Sequence, residues 1–259
     1  MKADVYGLDG KKAKSIDLPE QFNENYEPTL IKRAILVVLS HGRQKYGAMV
    51  QAGKNYSAKL SKRRRDYRGS YGKGISRTPR KIMWRRGRQM GWVGALAPGT
   101  VGGRRAHPAK PTRDWDLKIN VKERKKAIRS ALSGTVLQNK IMVVDNKLES
   151  LNKTKEIQST LKNLGLSIEV VKRQKAGRGK TRGRRIHYKK QALIIVANKC
   201  NLMTAVNNLP GYDIVDAKSV NAQLLTLGHE GARQCLFTEA AIERIGKEKL
   251  FQWKAHTQY

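Results

Sequence analysis

The chain has 259 residues, with 54 lysines and arginines against 20 aspartates and glutamates, which gives a formal net charge of +34. This excess is too large for an ordinary soluble enzyme. Residues 42–113 and 172–190 carry +29 of the charge and leave +5 for the rest of the chain. The sequence therefore predicts a near-neutral globular domain, residues 1–41 and 114–259, with two polycationic insertions.

The first elements along the chain are a hairpin and a helix. Residues 5–8 and 13–18 flank an Asp9-Gly10 turn signal and predict two antiparallel strands. Pro28 stands where a helix can begin, and apolar residues recur after it at helical spacing up to Gly42. We therefore predict a first buried helix that carries Leu30, Ile31, Ala34, Ile35, Val38 and Leu39.

The first insertion, residues 42–113, has a different composition. It holds 12 of the 23 glycines, and Leu, Ile, Val and Phe together supply only seven of its residues. Such a segment cannot bury enough apolar surface to offset the entropy of ordering it. We predict a long extended loop that is disordered until it binds a partner.

Helices and buried strands alternate after this insertion. The predicted strands cover residues 140–145, 166–171, 192–197 and 213–217. The predicted helices cover residues 121–132, 154–164, 201–209 and 238–245, with Asn120 and Thr238 as N-caps. Continuous apolar strands that alternate with helices are typical of a mostly parallel open sheet. The predicted fold class is thus α/β, with helices on both sheet faces and the basic loop inserted after the first helix.

A cationic segment needs a polyanionic partner: nucleic acid, an anionic membrane or an acidic protein. The longest apolar runs have six residues, far short of a bilayer span, and no signal peptide or anchor is visible. We therefore expect a cytoplasmic protein without a membrane partner.

Catalytic and metal-binding motifs are not evident. Residues 177–181 superficially suggest a phosphate loop, but Gln174 stands where its first glycine belongs. The histidines are scattered, and Cys200 and Cys235 read as core residues of a reducing compartment. Asp145, at the end of a predicted strand, lacks a neighbouring glycine fingerprint and reads as a turn or cap residue. We expect no catalytic residue, cofactor, metal or small-molecule substrate.

The insertions carry the functional signal. Arginine clusters at residues 63–65 and 85–88 are interleaved with tyrosines and tryptophans. Guanidinium groups bind phosphates in pairs of hydrogen bonds, aromatic rings stack on unpaired bases, and glycines allow close backbone approach. A merely solvated surface would mix both signs of charge. Because no helix or ribbon suited to duplex DNA is evident, RNA is the predicted partner.

One family resemblance covers nearly the whole chain. Residues 99–110 (Gly-Thr-Val-Gly-Gly-Arg-Arg-Ala-His-Pro-Ala-Lys), preceded by residues 77–80 and 83–85, resemble the universal large-subunit ribosomal protein four family ("L four"). Residues 236–242 also fit. The absence of a long extension after Tyr259 favours the archaeal form. Ala109 replaces a common second proline, and residues 227–231 lack the usual richness in proline and glycine, which leaves local turn geometry open.

The resemblance implies a structural constituent of the large ribosomal subunit. Its globular part would bind the large ribosomal RNA on the subunit's outer surface. Its loop would thread through that RNA, line the nascent-peptide exit tunnel and assist subunit assembly. The implied partners are large-subunit ribosomal RNA, neighbouring large-subunit proteins and the nascent peptide, and the implied location is the cytoplasmic ribosome.

The predicted RNA-binding residues are cations, aromatic residues and one histidine of the two insertions. They are Arg43, Lys45, Lys54, Lys62, Arg63, Arg64, Arg65, Arg68, Tyr71, Lys73, Arg77, Arg80, Lys81, Trp84, Arg85, Arg86, Arg88, Arg104, Arg105, His107, Lys110, Arg178, Lys180, Arg182, Arg184 and Arg185.

The turning point of the loop is predicted from its glycines. If two antiparallel arms run out and back, they reverse near Arg77, and the densest glycine cluster lies just before it. The predicted tunnel-facing tip is therefore Gly69, Ser70, Tyr71, Gly72, Lys73 and Gly74, with residues 63–65 and 85–88 on the arms.

Two other functions are compatible with the composition. One is an RNA-processing or RNA-modifying enzyme with an α/β catalytic domain and a basic RNA-binding extension, which would need a cofactor fingerprint or an acid-base cluster. The other is a free RNA chaperone, which would not sediment stoichiometrically with large subunits.

Overall fold

The computed structural model describes residues 1–166, 172–174, 176–184, 186–226, 228 and 231–253. The chain forms two compact units. The first, which we call the α/β unit, contains Met1–Gly42 and Asp116–Tyr259, and the second, which we call the basic unit, is Arg43–Trp115.

Ten strands are present in the described part of the chain. They are β1 (Lys2–Tyr6), β2 (Lys12–Asp17), β3 (Arg80–Arg86), β4 (Gln89–Gly94), β5 (Ile141–Val144), β6 (Lys172–Gln174), β7 (Ile186–Tyr188), β8 (Leu193–Val196), β9 (Asp213–Asp216) and β10 (Cys235–Thr238). Six of them form one sheet in the order β2-β1-β5-β10-β8-β9. Neighbours pair in parallel except β1 and β2, which form the predicted hairpin.

The described helices differ widely in length. They are α1 (Pro28–His41), α2 (Val121–Leu137), α3 (Thr154–Asn163), α4 (Arg178–Thr181), α5 (Leu202–Asn207), α6 (Ala222–Leu225) and α7 (Glu239–Lys247), with short 3-10 turns at Glu20–Phe22, Asn146–Ser150 and Ala217–Ser219. In the part of the chain that the structure describes, every helix is too short or too polar to cross a membrane.

The sheet buries both faces because successive residues of a strand point to opposite sides. In β10, Cys235 and Phe237 pack in one core with α1, α2, α6 and α7. Leu236 between them packs in the second core with α3 and α5. The predicted α/β class, with a mostly parallel sheet covered on both faces, is confirmed.

Several element predictions need correction. Strand β10 was not predicted, although it is central and pairs with both β5 and β8. Helix α2 continues five residues beyond its predicted end, because Ser133, Gly134 and Thr135 are buried there and tertiary packing overrides their weak helix propensity. At Gly134 a Cβ atom would lie 2.7 Å from the Tyr26 ring, so only glycine permits this approach.

Of the two predicted N-caps, one is present in the structure. Asn120 precedes α2, but its side chain does not cap the helix. Thr238 does cap α7, since its hydroxyl accepts a hydrogen bond from the Ala241 N–H at 3.3 Å. Of the predicted strand at residues 166–171, only residue 166 is described, so this strand lies outside the described residues. Residues 227, 229 and 230, which belong to the segment that departs from the family pattern, also lie outside them.

The basic unit contains regular structure that its composition did not predict. Strands β3 and β4 form an antiparallel ribbon, in which Arg80 pairs with Gly94 and Arg86 with Gln89. The prediction that no ribbon is present is therefore wrong for residues 80–94. Its backbone ladder pairs the two strands, and Ile82, Met90 and Trp92 of the ribbon are half-buried.

The predicted path has a single reversal, but the chain of the basic unit reverses more than once. Two antiparallel arms exist near the ends of the unit, where the Ala48 N–H donates to the Ala109 carbonyl at 2.9 Å. Farther along, Lys59 bridges Arg80 instead, so residues 60–79 close into a loop beside the ribbon. Residues 85–88 lie at the ribbon's turn and not on an arm, because local pairing closes each segment with its nearest neighbour.

Candidate RNA-binding interface

The two units treat their positive charges differently. In the α/β unit many exposed lysines have a carboxylate partner: Lys12 Nζ lies 2.7 Å from Asp4 Oδ2, and Lys247 Nζ lies 2.7 Å from Glu243 Oε2. The basic unit has 20 lysines and arginines but only two acids, Asp66 and Asp114. Its charge cannot be neutralised within the unit and has to be met by an outside polyanion.

Close backbone packing holds the arms of the basic unit together. Ala95 is the one buried hydrophobic residue of residues 43–115, all of which the structure describes. Gly53 has φ +73°, and a Cβ atom there would lie 2.6 Å from the carbonyl carbon of Gly103. The arms therefore depend on a glycine that a side chain would displace, rather than on a hydrophobic core.

The turn of the ribbon concentrates arginines. Arg86 and Gln89 pair, so Gly87 and Arg88 form a two-residue connection. The Arg85 Nε–H donates to the Gly87 carbonyl at 3.1 Å, which fixes the direction of its guanidinium group. Arg85, Arg86 and Arg88 are all exposed. The ribbon therefore presents three guanidinium groups at one end, where they can bind phosphate oxygens.

Trp84 lies on the same ribbon and is 56% exposed. Its indole ring lies across Gly91, its partner on β4, because a Cβ atom at Gly91 would fall onto Trp84 Nε1. This contact holds the ring against the ribbon while one face stays open to solvent. A fixed, exposed indole can stack on an unpaired base.

Other aromatic rings of the basic unit are already in contact with cations of the same unit. The Arg77 guanidinium lies 4.5 Å from the centroid of the Tyr71 ring, and Lys81 Nζ lies 3.9 Å from that of Tyr56. Lys73 and Arg80 both lie 5.4 Å from the Trp92 centroid. A base can therefore stack only on the ring face that the cation leaves open.

Asp66 organises residues 61–70. Its Oδ2 accepts a hydrogen bond from the Ser61 hydroxyl at 2.5 Å, and its Oδ1 accepts one from the Tyr67 N–H at 2.8 Å. The Ser61 hydroxyl in turn accepts from the Arg63 N–H at 3.2 Å. The hydrogen bond from Ser61, followed by that from Tyr67, holds the pKa of the Asp66 carboxyl below its usual value. Each oxygen of the carboxylate therefore accepts one hydrogen bond from within the loop.

Most of the predicted RNA-binding residues are exposed. Four are half-buried, namely Arg68, Arg80, Lys81 and Arg104. The other predicted residues that the structure describes are exposed on one of the two units. The basic unit gathers Arg43 to Lys110 of the prediction, and the α/β unit carries Arg178, Lys180, Arg182 and Arg184. Arg185 lies outside the described residues.

The predicted tip is only partly exposed. Gly69 and Ser70 are buried, because the Ser70 N–H donates to the Ser61 carbonyl at 3.3 Å and the Gly69 N–H donates to the Asp66 carbonyl at 3.1 Å. Tyr71, Gly72, Lys73 and Gly74 are exposed. Hydrogen bonds therefore hold Gly69 and Ser70 toward the interior of the loop, and the tunnel-facing position of the tip stays a prediction.

The second insertion is a short hairpin. Strands β6 and β7 pair antiparallel, with α4 between them. The segment that follows this hairpin is held by Arg233. The Arg233 guanidinium is nearly fully buried, and its Nη1 lies 2.6 Å from Asp213 Oδ2. Arg233 Nη2 also donates to the carbonyls of Ala192 and Gly211, both at 3.1 Å. Arg233 thus ties together the chain segments that precede β8 and β9.

The carboxyl end of the parallel sheet, where α/β proteins usually bind ligands, is filled by the protein's own polar groups. Glu149 Oε1 accepts hydrogen bonds from the Thr238 hydroxyl at 2.6 Å and the Ala197 N–H at 3.0 Å. The Asn146 side chain accepts from the Ala240 N–H at 2.7 Å. Within the described residues, histidine, cysteine and carboxylate side chains nowhere gather in threes where a metal ion could bind.

Sequence reasoning missed two residues of this interface. Trp115 lies beyond the window of high charge, yet its ring centroid is 4.9 Å from that of Tyr46 and 4.4 Å from the Arg43 guanidinium. Asp66 is the second such residue. A single acid within 73 residues of otherwise cationic and neutral sequence was the available signal that it has a structural purpose.

Comparison of the whole sequence with protein families assigns the chain to one of them. The model of the ribosomal protein L4/L1 family matches residues 16–248, about nine-tenths of the chain. The chain belongs to the ribosomal protein L4/L1 family. The predicted family resemblance is thereby confirmed.

Named relatives of this L4/L1 family member come from archaea. The large ribosomal subunit protein uL4 of Nanoarchaeum equitans is 42% identical over 268 residues, which cover 97% of this chain and 100% of the relative. The uL4 proteins of Archaeoglobus fulgidus and Methanocaldococcus jannaschii are 38% and 35% identical and cover 95% of this chain, with 99% and 98% of their own lengths. The similarity therefore includes both units of the L4/L1 chain.

Proposed function

We propose that this protein is a structural constituent of the large ribosomal subunit, in the cytoplasmic ribosome, and that it binds large-subunit ribosomal RNA. The observation that carries this proposal is the basic unit itself, in which 20 cations face two acids and most of the predicted RNA-binding cations are exposed. The relatives are named as a large-subunit protein and match this chain over nearly their whole length, which supports the same assignment.

The two units have separate parts in this proposal. The three arginines at the ribbon turn, residues 63–65 of the loop and the hairpin cations Arg178 to Arg184 bind RNA phosphates. Trp84 stacks on an unpaired base. The α/β unit supplies a stable platform, because its two hydrophobic cores do not depend on RNA. Neighbouring large-subunit proteins contact this protein in the assembled particle, and its binding to the RNA assists assembly of the subunit.

We further propose that the basic unit lines the nascent-peptide exit tunnel. The residues proposed to face it are Tyr71, Gly72, Lys73 and Gly74, since Gly69 and Ser70 are buried. Deletion of residues 71–74 should leave incorporation into subunits intact and change pausing of nascent chains. Loss of incorporation, with normal pausing in the ribosomes that form, would argue against this placement.

An RNA-modifying enzyme is the weaker candidate. Its catalytic groups would be expected at the carboxyl end of the parallel sheet. There Glu149 is already bonded to Thr238 and to the Ala197 N–H, and Asn146 is bonded to the Ala240 N–H. These bonds leave Glu149 and Asn146 with structural roles, so we propose that the protein is not an enzyme and uses no cofactor.

The experiment that tests the proposed function is sedimentation of ribosomes from the source organism. We expect one copy of the protein per large subunit, retained through a high-salt wash. A free RNA chaperone would be present at well below one copy and would wash off. An enzyme that acts on precursor RNA would appear on assembly intermediates and be missing from mature subunits.

A further inference from the structure

A single acid lies in the most basic part of the chain. Arg63, Arg64, Arg65 and Arg68 surround Asp66 in sequence, and a carboxylate at this place opposes the approach of RNA phosphates. On charge alone, its removal would strengthen RNA binding. Its presence therefore calls for a structural contribution that outweighs this repulsion.

The hydrogen bonds of Asp66 define that contribution. Its two carboxylate oxygens accept from the Ser61 hydroxyl and from the Tyr67 N–H, and its carbonyl accepts from the Gly69 N–H. These bonds connect both ends of the ten-residue loop 61–70 to its centre. Ser61 is 9% exposed, so the bond between its hydroxyl and Asp66 is partly shielded from water.

The backbone of the arginines follows from this closure. Arg65 has φ +59° and Arg68 has φ +58°, in the left-handed region that arginine seldom adopts. The backbone of a residue other than glycine rarely stays in this region unless the surrounding structure holds it there. The Ser61 N–H and the Arg68 carbonyl pair at 3.5 Å, and the Arg63 N–H bonds to Ser61 Oγ at 3.2 Å. Asp66 and Ser61 together therefore hold Arg63, Arg64 and Arg65 on the outside of a closed loop.

We propose that Asp66, with Ser61, is a positioning residue for RNA binding: it folds loop 61–70 so that Arg63, Arg64 and Arg65 form one preorganised phosphate-binding cluster. The proposal rests on the proposed RNA-binding function. A preorganised cluster loses less side-chain and backbone entropy when RNA binds than three arginines on an open chain. The acid thus strengthens binding although its charge opposes RNA.

The test measures binding of the full-length protein to large-subunit ribosomal RNA transcribed in vitro, over a series of salt concentrations. Each lost phosphate contact should weaken binding at 0.1 M salt roughly five- to eightfold and lower the salt slope by about one unit. We expect Asp66→Ala to lose at least one contact. Charge alone predicts the opposite sign, tighter binding and an unchanged or steeper slope.

Serine variants separate position from charge. Ser61→Ala changes no charge and should weaken binding as Asp66→Ala does, because either change removes the hydrogen bond between the two side chains. The double variant should lose less than the sum of the two single effects, because that bond is shared. Ser61→Thr keeps the hydroxyl and should bind RNA as the wild-type protein does. Ser57→Ala, an exposed serine of the same unit, serves as the matched control.

The outcomes distinguish this inference from the proposed function. If the wild-type protein binds ribosomal RNA no better than an unrelated RNA of equal length, the proposed function fails. If the wild-type protein binds specifically and Asp66→Ala binds equally well or more tightly, or Ser61→Ala has no effect, the positioning role is overturned. Thermal unfolding of the α/β unit should be the same in all variants, and a lowered melting temperature together with weaker binding would also count against the proposal.

Discussion

The ribbon turn allows a quantitative test of RNA binding. We consider the triple variant in which Arg85, Arg86 and Arg88 become glutamine. The ladder between β3 and β4 consists of backbone hydrogen bonds, so the ribbon should persist when these side chains change. All three arginines are exposed, and only Arg85 has a bond to the ribbon backbone, through its Nε. The terminal nitrogens of all three remain available to phosphates.

The magnitude follows from counterion release. Each neutralised phosphate contributes about 0.7–0.9 to the slope of log K against log salt, so three lost contacts should lower the slope by about 2–3 units. At 0.1 M salt this corresponds to binding weakened by about two to three orders of magnitude. The assay is filter binding or fluorescence anisotropy with transcribed large-subunit RNA from about 0.1 to 0.4 M salt.

A matched control removes the same charge from the α/β unit. Lys12, Lys153 and Lys247 each lie within 3.5 Å of a carboxylate, so their triple glutamine variant loses paired cations. Exposed pairs of this kind contribute only about 0–1 kcal/mol each to folding, so the unit should remain folded. We expect a much smaller change in slope. An equal change in both triple variants would show that net charge, and not the ribbon turn, determines binding, and an unchanged slope in the arginine variant would refute the interface.

Three further outcomes follow from packing and burial. In free protein, trypsin should cut within residues 43–115 first, because this unit has almost no hydrophobic core, and Gly53→Ala should speed that cleavage without affecting the α/β unit, as seen on gels. Burial raises the pKa of Asp213, but the hydrogen bonds and charges of Lys190 and Arg233 outweigh it and hold this pKa below its usual value. Asp213→Asn, which leaves Arg233 buried without its counter-charge, should lower the free energy of unfolding by about 3 kcal/mol near neutral pH, the low end for a buried pair because the Asp213 side chain is 25% exposed. In the wild type this contribution is complete above the unfolded-state pKa of aspartate, about 3.9, and is lost as the pH falls through the lower folded-state pKa, so urea unfolding from about pH 6 to pH 2 should show a loss that the variant lacks. Burial raises the pKa of the Cys235 thiol to about 12, so a thiol reagent should label Cys235 only after unfolding, and rapid labelling of the native protein would contradict its place in the core.

The sequence by itself determined the partition of charge and the class of fold. A run such as residues 192–197 is apolar at every position, and only a strand buried on both faces or a buried helix uses such a run. The helical spacing of residues 30–39 likewise predicted α1 within a few residues of its bounds. These features can be predicted from sequence because hydrophobic periodicity depends only on residues that are close together in the chain.

Tertiary structure alone decided which elements meet. Strand β10 has four residues and no long apolar run, and its central position follows only from its pairing with β5 and β8 on either side. In the ribbon at residues 80–94 the apolar residues Ile82, Met83 and Trp84 are consecutive and arginines follow them, so alternation does not mark a strand there and only the pairing of β3 with β4 defines it. Asp66 is one acid among cations until the loop closes and brings Ser61 to its carboxylate, since a hydrogen bond requires a distance and an angle that sequence spacing does not supply.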